Sequence, residues 1–401
     1  MLKNLYATKG WTTAKTEYSS DAFMVKLSVN PRKRFSCHYC GRKGVIHSKR
    51  TIYIVDSPCV EKKVIIELEV PQIFCPTCGR FHTCRPDFVH PTMKFTWRLM
   101  RLISGLLVYV PARKLAEMFS ISYSSVLRID REFLRTCLTP PCLDGIEGIL
   151  VDEKYLGPSH GFVTLVLNAS TGEPLHLAAG KNGEAFESFL NRLTDKQKRS
   201  IQYLGIDRAN AYRSAALKHL PWVKVCFDAF HLVSNMNEVV DKVRRAEFAH
   251  PTEAQRRRIT GRRYILLKAK ESLSEHERMD LNELCALNQN LTKTYILKEQ
   301  FRTIFSHLTE HAAMWQLSQW IGMAVRSGVK QVERFARGIA HRYNEVINGI
   351  RYNINSARIE SANAAIKRTQ SKCCGLFDIE YLFMKLRQMY LFGCQAATQQ
   401  G

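Results

Sequence analysis

The sequence predicts an α/β protein built around one mixed sheet, and three observations carry that reading. Gly148–Leu156, Gly161–Ser170 and Glu173–Ala179 are consecutive apolar β-runs with tight connections, the second marked by Thr171-Gly172. A helical pattern at Ala185–Leu193 follows, then a β-run at Ser200–Ile206, a helix at Arg213–Leu220 and a fifth β-run at Val223–Phe227. The first and fourth runs each deliver a lone aspartate, Asp152 and Asp207, at the carboxyl end. Two strands ending this way suggest a carboxylate pair on one sheet edge, fit to hold a divalent metal ion.

Composition narrows the class of partner. The 401 residues suffice for two to four domains with a real core. Lys and Arg number 59 against 36 Asp and Glu, a net charge of +23. An excess of that size points to a polyanion, and nucleic acid is the commonest one. No basic amphipathic helix dominates the chain, which argues against a membrane surface. The first ten residues lack the apolar core of a signal peptide, and the apolar run Leu102–Val110 is too short to span a bilayer. The 13 cysteines are odd in number and clustered, which favours metal binding and free thiols over disulfides. The expectation is a cytoplasmic protein.

Taken in order, residues 1–36 are polar and irregular at first and read as a tail or a short strand-containing lead-in, with a basic Arg32-Lys33-Arg34 just before the cysteines. Cys37-His-Tyr-Cys40-Gly and Cys75-Pro-Thr-Cys78-Gly then form two knuckles, and paired knuckles of this type complete a tetrahedral thiolate site for Zn²⁺. Ile52–Val55 and Val64–Val70 between them read as strands of a zinc ribbon over 37–88. Cys59, Cys84, His38, His47 and His82 could contribute instead and are ranked as non-ligands. Arg42, Lys43, Lys49, Arg50, Arg80 and Arg85 suit a ribbon lying on a phosphate backbone.

From residue 91 to 142 the pattern is helical. Phe95–Val110, Ala112–Phe119 opened by Pro111, and Tyr123–Leu134 after a short turn give a helix-turn-helix pattern. Its second helix would enter the major groove with Tyr123, Ser124, Ser125 and Arg128 facing bases or phosphates.

The catalytic sheet occupies 146–231. Three β-runs, a helix, a fourth strand, a helix and a fifth strand is the order of an RNase-H-like domain, with the first and fourth strands adjacent at the centre. The fifth run ends in Asp228-Ala-Phe-His231, so Asp228 is a rival for the second metal ligand. Asp207 is preferred because the fourth strand neighbours the first, leaving Asp228 and His231 in support. Residues 232–349 read as a basic helical insertion with clusters at Arg244-Arg245, Arg256–Arg258 and Arg262-Arg263. Trp315, Trp320 and Tyr343 in it could stack on bases, though packing in a helical core is the better reading. Closing helices fill 350–394. On the first of them Glu360, Asn363 and Lys367 fall at i, i+3 and i+7, one face presenting a carboxylate, an amide and a cation.

These residues together resemble insertion-sequence transposases of the ISL-three family, within the DDE superfamily. The resemblance spans nearly the whole chain. It rests on the paired knuckles, the helix-turn-helix, Val151-Asp152-Glu153, Gly205-Ile-Asp207-Arg208-Ala-x-x-Tyr212, Asp228-Ala-Phe-His231 and Glu360-x-x-Asn363-x-x-x-Lys367-Arg368. It implies that Asp152, Asp207 and Glu360 form the catalytic triad and that Lys367 contacts DNA near the scissile bond, with Arg368 beside it.

The chemistry expected is two-metal phosphodiester cleavage and strand transfer, with Mg²⁺ or Mn²⁺ held by hard carboxylate oxygens. Terminal inverted repeats and target DNA are the expected partners. A homodimer or larger assembly is expected, since two ends must be joined. The alternative is a catalytically silent, sequence-specific DNA-binding regulator that keeps the ribbon and helix-turn-helix. A stand-alone RNase-H-like nuclease is a third reading, and it leaves the ribbon unexplained.

Overall fold

The computed structural model describes residue 6 and residues 8–59, 61–207, 210–250, 253, 262–306, 309–354, 357–373 and 378–398. The chain divides into two units, Met1–Pro140 with Ala365–Gly401, and Pro141–Ala364. The Arg256–Arg258 cluster lies outside the described residues.

Period-two alternation builds the first sheet. Strands β1 (Trp11–Tyr18), β2 (Ala22–Val29), β3 (Val45–Cys59) and β4 (Lys62–Cys75) lie in the order β1-β2-β4-β3, and β5 (Arg80–Thr83) also pairs with β4. Along β4, Val64, Ile66, Leu68 and Val70 are buried on one face, against Val25, Leu27 and Val29 of β2 and Ile54 of β3. Each such side chain contributes about 1.5–3 kcal/mol through burial. Strand β2 runs parallel to β4 with Val25 beside Ile66, whereas β3 and β4 are antiparallel. The lead-in is thus the strand-containing one of its two expected forms, not a tail. It supplies two strands, and Trp11 donates its indole N–H to the Glu69 carbonyl at 2.7 Å.

Three helices follow: α1 (Trp97–Leu106), α2 (Ala112–Met118) and α3 (Tyr123–Cys137). Thr96 and Ser122 cap α1 and α3 by accepting from the backbone N–H of Leu99 and Ser125. Leu99, Ile103, Leu115, Val126 and Ile129 are fully buried, and both α1 and α2 pack on α3. Buried Asp56 of β3 anchors α1 by accepting from the Thr96 hydroxyl and the Arg98 guanidinium, and also from the Tyr6 hydroxyl at 2.5 Å.

The second sheet has the order β10-β9-β6-β7-β8, from β6 (Gly148–Tyr155), β7 (Phe162–Asn168), β8 (Pro174–Ala179), β9 (Tyr203–Ile206) and β10 (Lys224–Phe227). β6, β7 and β8 are an antiparallel meander, while β9 and β10 run parallel to β6. This is the expected RNase-H-like arrangement, with the first and fourth strands adjacent. One face packs Ile149, Val151, Val166, Ile206, Val225 and Phe227 against α4 (Gly183–Leu190) and α6 (Asn210–His219). A short helix, α5 (Asp195–Ser200), capped by Thr194, takes the first residue of the expected fourth β-run.

The remaining helices are α7 (Ala229–Glu247), α8 (Arg263–Leu267), α9 (Glu275–Leu287), α10 (Gln289–Ile304), α11 (Glu310–Val325), α12 (Lys330–His341), α13 (Tyr343–Arg351) and α14 (Ala357–Lys372). They do not form one insertion with its own core. Phe301, Leu317, Trp320, Phe335 and Ile347 belong to the same apolar cluster as the sheet residues. Only the outer part, Val240, Leu266, Leu281, Leu284, Leu291 and Tyr295, makes a separate small core. Helix α13 closes the β10 edge so tightly that a Cβ on Gly349 would sit 2.0 Å from the Phe227 carbonyl oxygen. Trp320 is buried and donates to the Leu297 carbonyl at 2.8 Å, so it is a core residue, whereas Trp315 is 66% exposed.

The last helix, α15 (Ile379–Thr398), reads from sequence as closing the catalytic domain but clusters with the first unit. Its Lys385 and Tyr381 reach the carboxylate of Asp130 on α3, and Lys385 stands 3.1 Å from it. Asp130 also accepts from Ser104 of α1 at 2.6 Å, and the Gln388 amide donates to the Ser104 hydroxyl at 3.0 Å. Among the described residues no helix is long and apolar enough to cross a membrane.

Candidate nucleic-acid-processing site and metal centre

Strand register places the aspartates. Val151 of β6 is paired with Ile206 of β9, and Ile206 with Phe227 of β10. The next position along each of these parallel strands is Asp152, Asp207 and Asp228, so the three stand in one row. Strands β9 and β10 stop just before their aspartates, but β6 runs on to Tyr155 paired with β7, which corrects the expectation that the first strand ends at Asp152. Val151, Ile206 and Phe227 face the α4–α6 core. Alternation along a strand therefore turns the position after each toward the opposite face. On that face a Cβ at Gly205 would meet Leu150 and Ile354, and Arg358 of α14 donates to the Ala169 carbonyl.

Helix α14 brings its polar face to this edge. Asn363 donates from its amide to Asp152 Oδ2 at 2.8 Å. Its other amide atom, Oδ1, is buried and accepts no hydrogen bond. Asp152 is half-buried, whereas Asp207 and Glu360 are exposed. Asp228 is buried at 4% exposure, and its Oδ1 accepts from the Phe230 N–H at 2.9 Å, capping α7. His231, one turn on, stands 4.0 Å from Asp228 Oδ2. Below the row, Tyr212 and Thr164 share a buried hydroxyl contact at 2.9 Å, and burial pushes the Tyr212 phenol up. Among the described residues no three carboxylates have oxygens within 4.8 Å of one another. Lys367 and Arg368 are exposed on the later half of α14, and Arg208 lies outside the described residues.

The four knuckle cysteines do converge. The Sγ atoms of Cys37, Cys40, Cys75 and Cys78 all lie within 4.8 Å of one another, Cys40 and Cys75 being 3.6 Å apart. Each knuckle closes through a backbone bond, Gly41 N–H to the Cys37 carbonyl and Gly79 N–H to the Cys75 carbonyl, both at 2.9 Å. Gly41 and Gly79 have φ of 72° and 64°, a left-handed turn that a Cβ would strain. The backbone N–H of Cys78 holds the Cys75 thiol down to about 7, while the close Cys40 sulfur pushes Cys78 up to about 12. Four sulfurs this close cannot all ionise without a cation between them, and the donor set fits Zn²⁺. A second group, His38, His82 and Cys84, also has its ligand atoms within 4.8 Å of one another. The sequence ranks these three as non-ligands because nothing in their spacing marks them as a set.

Among the proposed groove residues, Ser124 and Arg128 are exposed or half-exposed on α3. Ser125 sits in the cap, with its hydroxyl 2.8 Å from that of Ser122. Tyr123 is half-exposed, and its hydroxyl donates to the Cys373 carbonyl at 2.6 Å. Arg85 is spent internally, donating to the His90 and Met93 carbonyls. Arg42, Lys43, Lys49, Arg50 and Arg80 are exposed along the ribbon.

Comparison with known proteins identifies the families that the chain matches. A family model described as "Transposase", the DDE type named for ISL3, matches residues 149–386. A second, described as "zinc-finger of transposase IS204/IS1001/IS1096/IS1165", matches residues 33–78. The chain is 24% identical to the transposase for insertion sequence element IS1001 of Bordetella parapertussis, over 97% of this chain and 98% of that protein. It is also 24% identical to the transposase for insertion sequence element IS1557 of Mycobacterium tuberculosis, over 87% of this chain and 84% of that protein.

Proposed function

Because the chain belongs to the ISL3-type DDE transposases of insertion sequences, we propose that it binds the terminal inverted repeats of an insertion sequence, cleaves there and joins the freed 3′ end to target DNA. Asp152, Asp207 and Glu360 are the acidic triad of this reading. The observation that carries it is the pairing of Val151 with Ile206, which sets Asp152 beside Asp207, together with the Asn363–Asp152 bond, which ties in the helix bearing Glu360.

The donor set fits a hard divalent cation. Asp152, Asp207 and Glu360 offer carboxylate oxygens, and the unpartnered Asn363 Oδ1 is a further buried acceptor beside them. When bound, Mg²⁺ or Mn²⁺ would lower the pKa of the attacking water or 3′-hydroxyl and stabilise the leaving oxygen. Asn363 holds the Asp152 carboxylate in one orientation by donating to Oδ2. Asp228, committed to capping α7, fixes the neighbouring strand end and leaves the exposed Asp207 as the second ligand. His231 flanks Asp228, and Lys367 and Arg368 contact phosphate. The exposed cations of the ribbon and the α3 residues Ser124 and Arg128 read the repeats, with phosphate contacts supplying most of the affinity. Joining two ends calls for a homodimer or larger assembly on DNA.

The test is cleavage of labelled end-repeat DNA in Mg²⁺ by the wild type and by Asp152→Ala, Asp207→Ala, Asp228→Ala and Glu360→Ala. The three triad variants should bind the repeats and leave them uncut. Uncut repeats bound by the wild type in both Mg²⁺ and Mn²⁺ would instead identify a silent DNA-binding regulator. An Asp228→Ala defect as deep as the others, with Asp207→Ala active, would reassign the second ligand.

A further inference from the structure

We propose a second soft-metal site in the ribbon, formed by His38, His82 and Cys84, separate from the four-cysteine centre and able to hold one Zn²⁺-like ion. The placement follows from the fold. His38 is the residue after Cys37 in the first knuckle. His82 lies on β5 opposite Ile73 of β4, and the chain continues so that the Cys84 N–H bonds the Pro71 carbonyl at 2.9 Å. Residues two apart on an extended chain share a face, so the imidazole of His82 and the thiol of Cys84 point the same way. The result is two imidazoles and one sulfur with ligand atoms within 4.8 Å of one another.

An independent observation points to a ligand. Among the described residues His82 Nδ1 is buried and has no hydrogen-bond partner, while Nε2 makes a long 3.4 Å approach to the Ser36 carbonyl. A buried imidazole nitrogen left unpaired carries a desolvation cost. Coordination by that nitrogen removes the cost. The rings of His38 and His82 are 4.7 Å apart at 61°, so they are tilted rather than stacked and their nitrogens can converge.

The four-cysteine centre already supplies a full tetrahedron, so it has no use for these three groups. Two nitrogens and one thiolate suit Zn²⁺ and leave a fourth position open. Cys84 is buried and His38 exposed, which puts the open position on the solvent side. On binding, the Cys84 thiol releases its proton to solvent and the thiolate takes the ion. The ribbon thus carries one enclosed ion and one exchangeable ion.

The test is titration of the metal-free, reduced full-length chain with Co²⁺, followed by its thiolate-to-metal charge-transfer absorption. Carboxylate sites give no such band, so the readout is independent of the catalytic reading. The wild type should bind two thiolate-linked equivalents, the first with an intense four-thiolate band and the second with a weaker single-thiolate band. His38→Ala, at an exposed position, and Cys84→Ser should each abolish the second step and keep the first. Retention of the first band shows that the ribbon is folded. A single equivalent in the wild type, or a second step that survives both substitutions, would overturn the site. A single step that weakens in both variants would make these residues alternative ligands of the first ion and would also overturn it.

Discussion

Replacing Asp130 by Ala tests how the last helix is tied to the helical part of the first unit. The Asp130 carboxylate is fully buried and faces the Lys385 ammonium at 3.1 Å, itself 2% exposed, along with the Ser104 and Tyr381 hydroxyls. Burial, and then the Asp130 charge, push the Tyr381 phenol far up, so it stays a donor at all working pH. Without Asp130 the ammonium keeps only the Gln388 amide oxygen, at 2.6 Å. Removing one partner of a buried ion pair costs about 3–5 kcal/mol, because the surviving charge stays buried. At about 2–4 °C per kcal/mol for a unit of this size, the transition should fall by about 6–20 °C. Scanning calorimetry of the full chain would read that shift. Hydrogen exchange in α3 and α15 would show that the loosening lies there and not in the second unit. Adding Lys385→Met should return at least half of the loss, since no unpaired charge then remains. A cost below about 1 kcal/mol, or a double variant as unstable as the sum of the singles, would refute this account.

Two further outcomes follow from the second unit. Asn363→Ala removes a donor to a carboxylate, worth about 1.5–3 kcal/mol, so end cleavage should fall by about one to two orders of magnitude and require more Mg²⁺. Unchanged cleavage at limiting Mg²⁺ would show that the bond does not position Asp152. His176 is held down to about 4, first by burial and then by Arg192, with Ser188 at 2.8 Å from Nε2 and Arg192 at 3.2 Å from Nδ1. Its folded pKa lies below its unfolded value near 6.5, so the unfolded chain binds the proton first. Stability is then full above about pH 6.5 and is lost as pH falls toward 4, by about 1–2 kcal/mol after allowance for residual solvent screening. His176→Gln should flatten that segment of the stability–pH curve, and an unaltered slope would rule the histidine out.

Much of the site could be read from residue order alone. Paired Cys-x-x-Cys-Gly knuckles specify a sulfur tetrahedron wherever they fold, because four thiolates need a cation between them. An apolar run followed by a single Asp places Asp207 just past the end of β9, and the crossover order made β6 and β9 neighbours, but β6 continues beyond Asp152 because Glu153–Tyr155 still pair with β7. The same logic ranks His38, His82 and Cys84 as non-ligands. They belong to different loops and strands, and only the fold brings their ligand atoms within 4.8 Å of one another. From sequence the lead-in reads as a tail or a strand-containing segment, and only the pairing of β2 with β1 and β4 fixes it as two strands of the first sheet.

Local sequence was enough to specify the order of elements, the four-cysteine set, the aspartates that follow the ends of β9 and β10, and the shared face of Glu360 and Asn363. Each of these depends on local periodicity or on a short motif. Long-range packing settled that α15 locks onto α1 and α3 and that helices α10–α13 complete the core of the sheet. It also bonded the Tyr123 hydroxyl and the Arg85 guanidinium to backbone carbonyls and committed Asp228 to a helix cap. The physical reason is that an apolar stripe or a polar tip has the same local pattern whichever partner it meets. Distant burial and the need to satisfy every buried donor and acceptor select that partner.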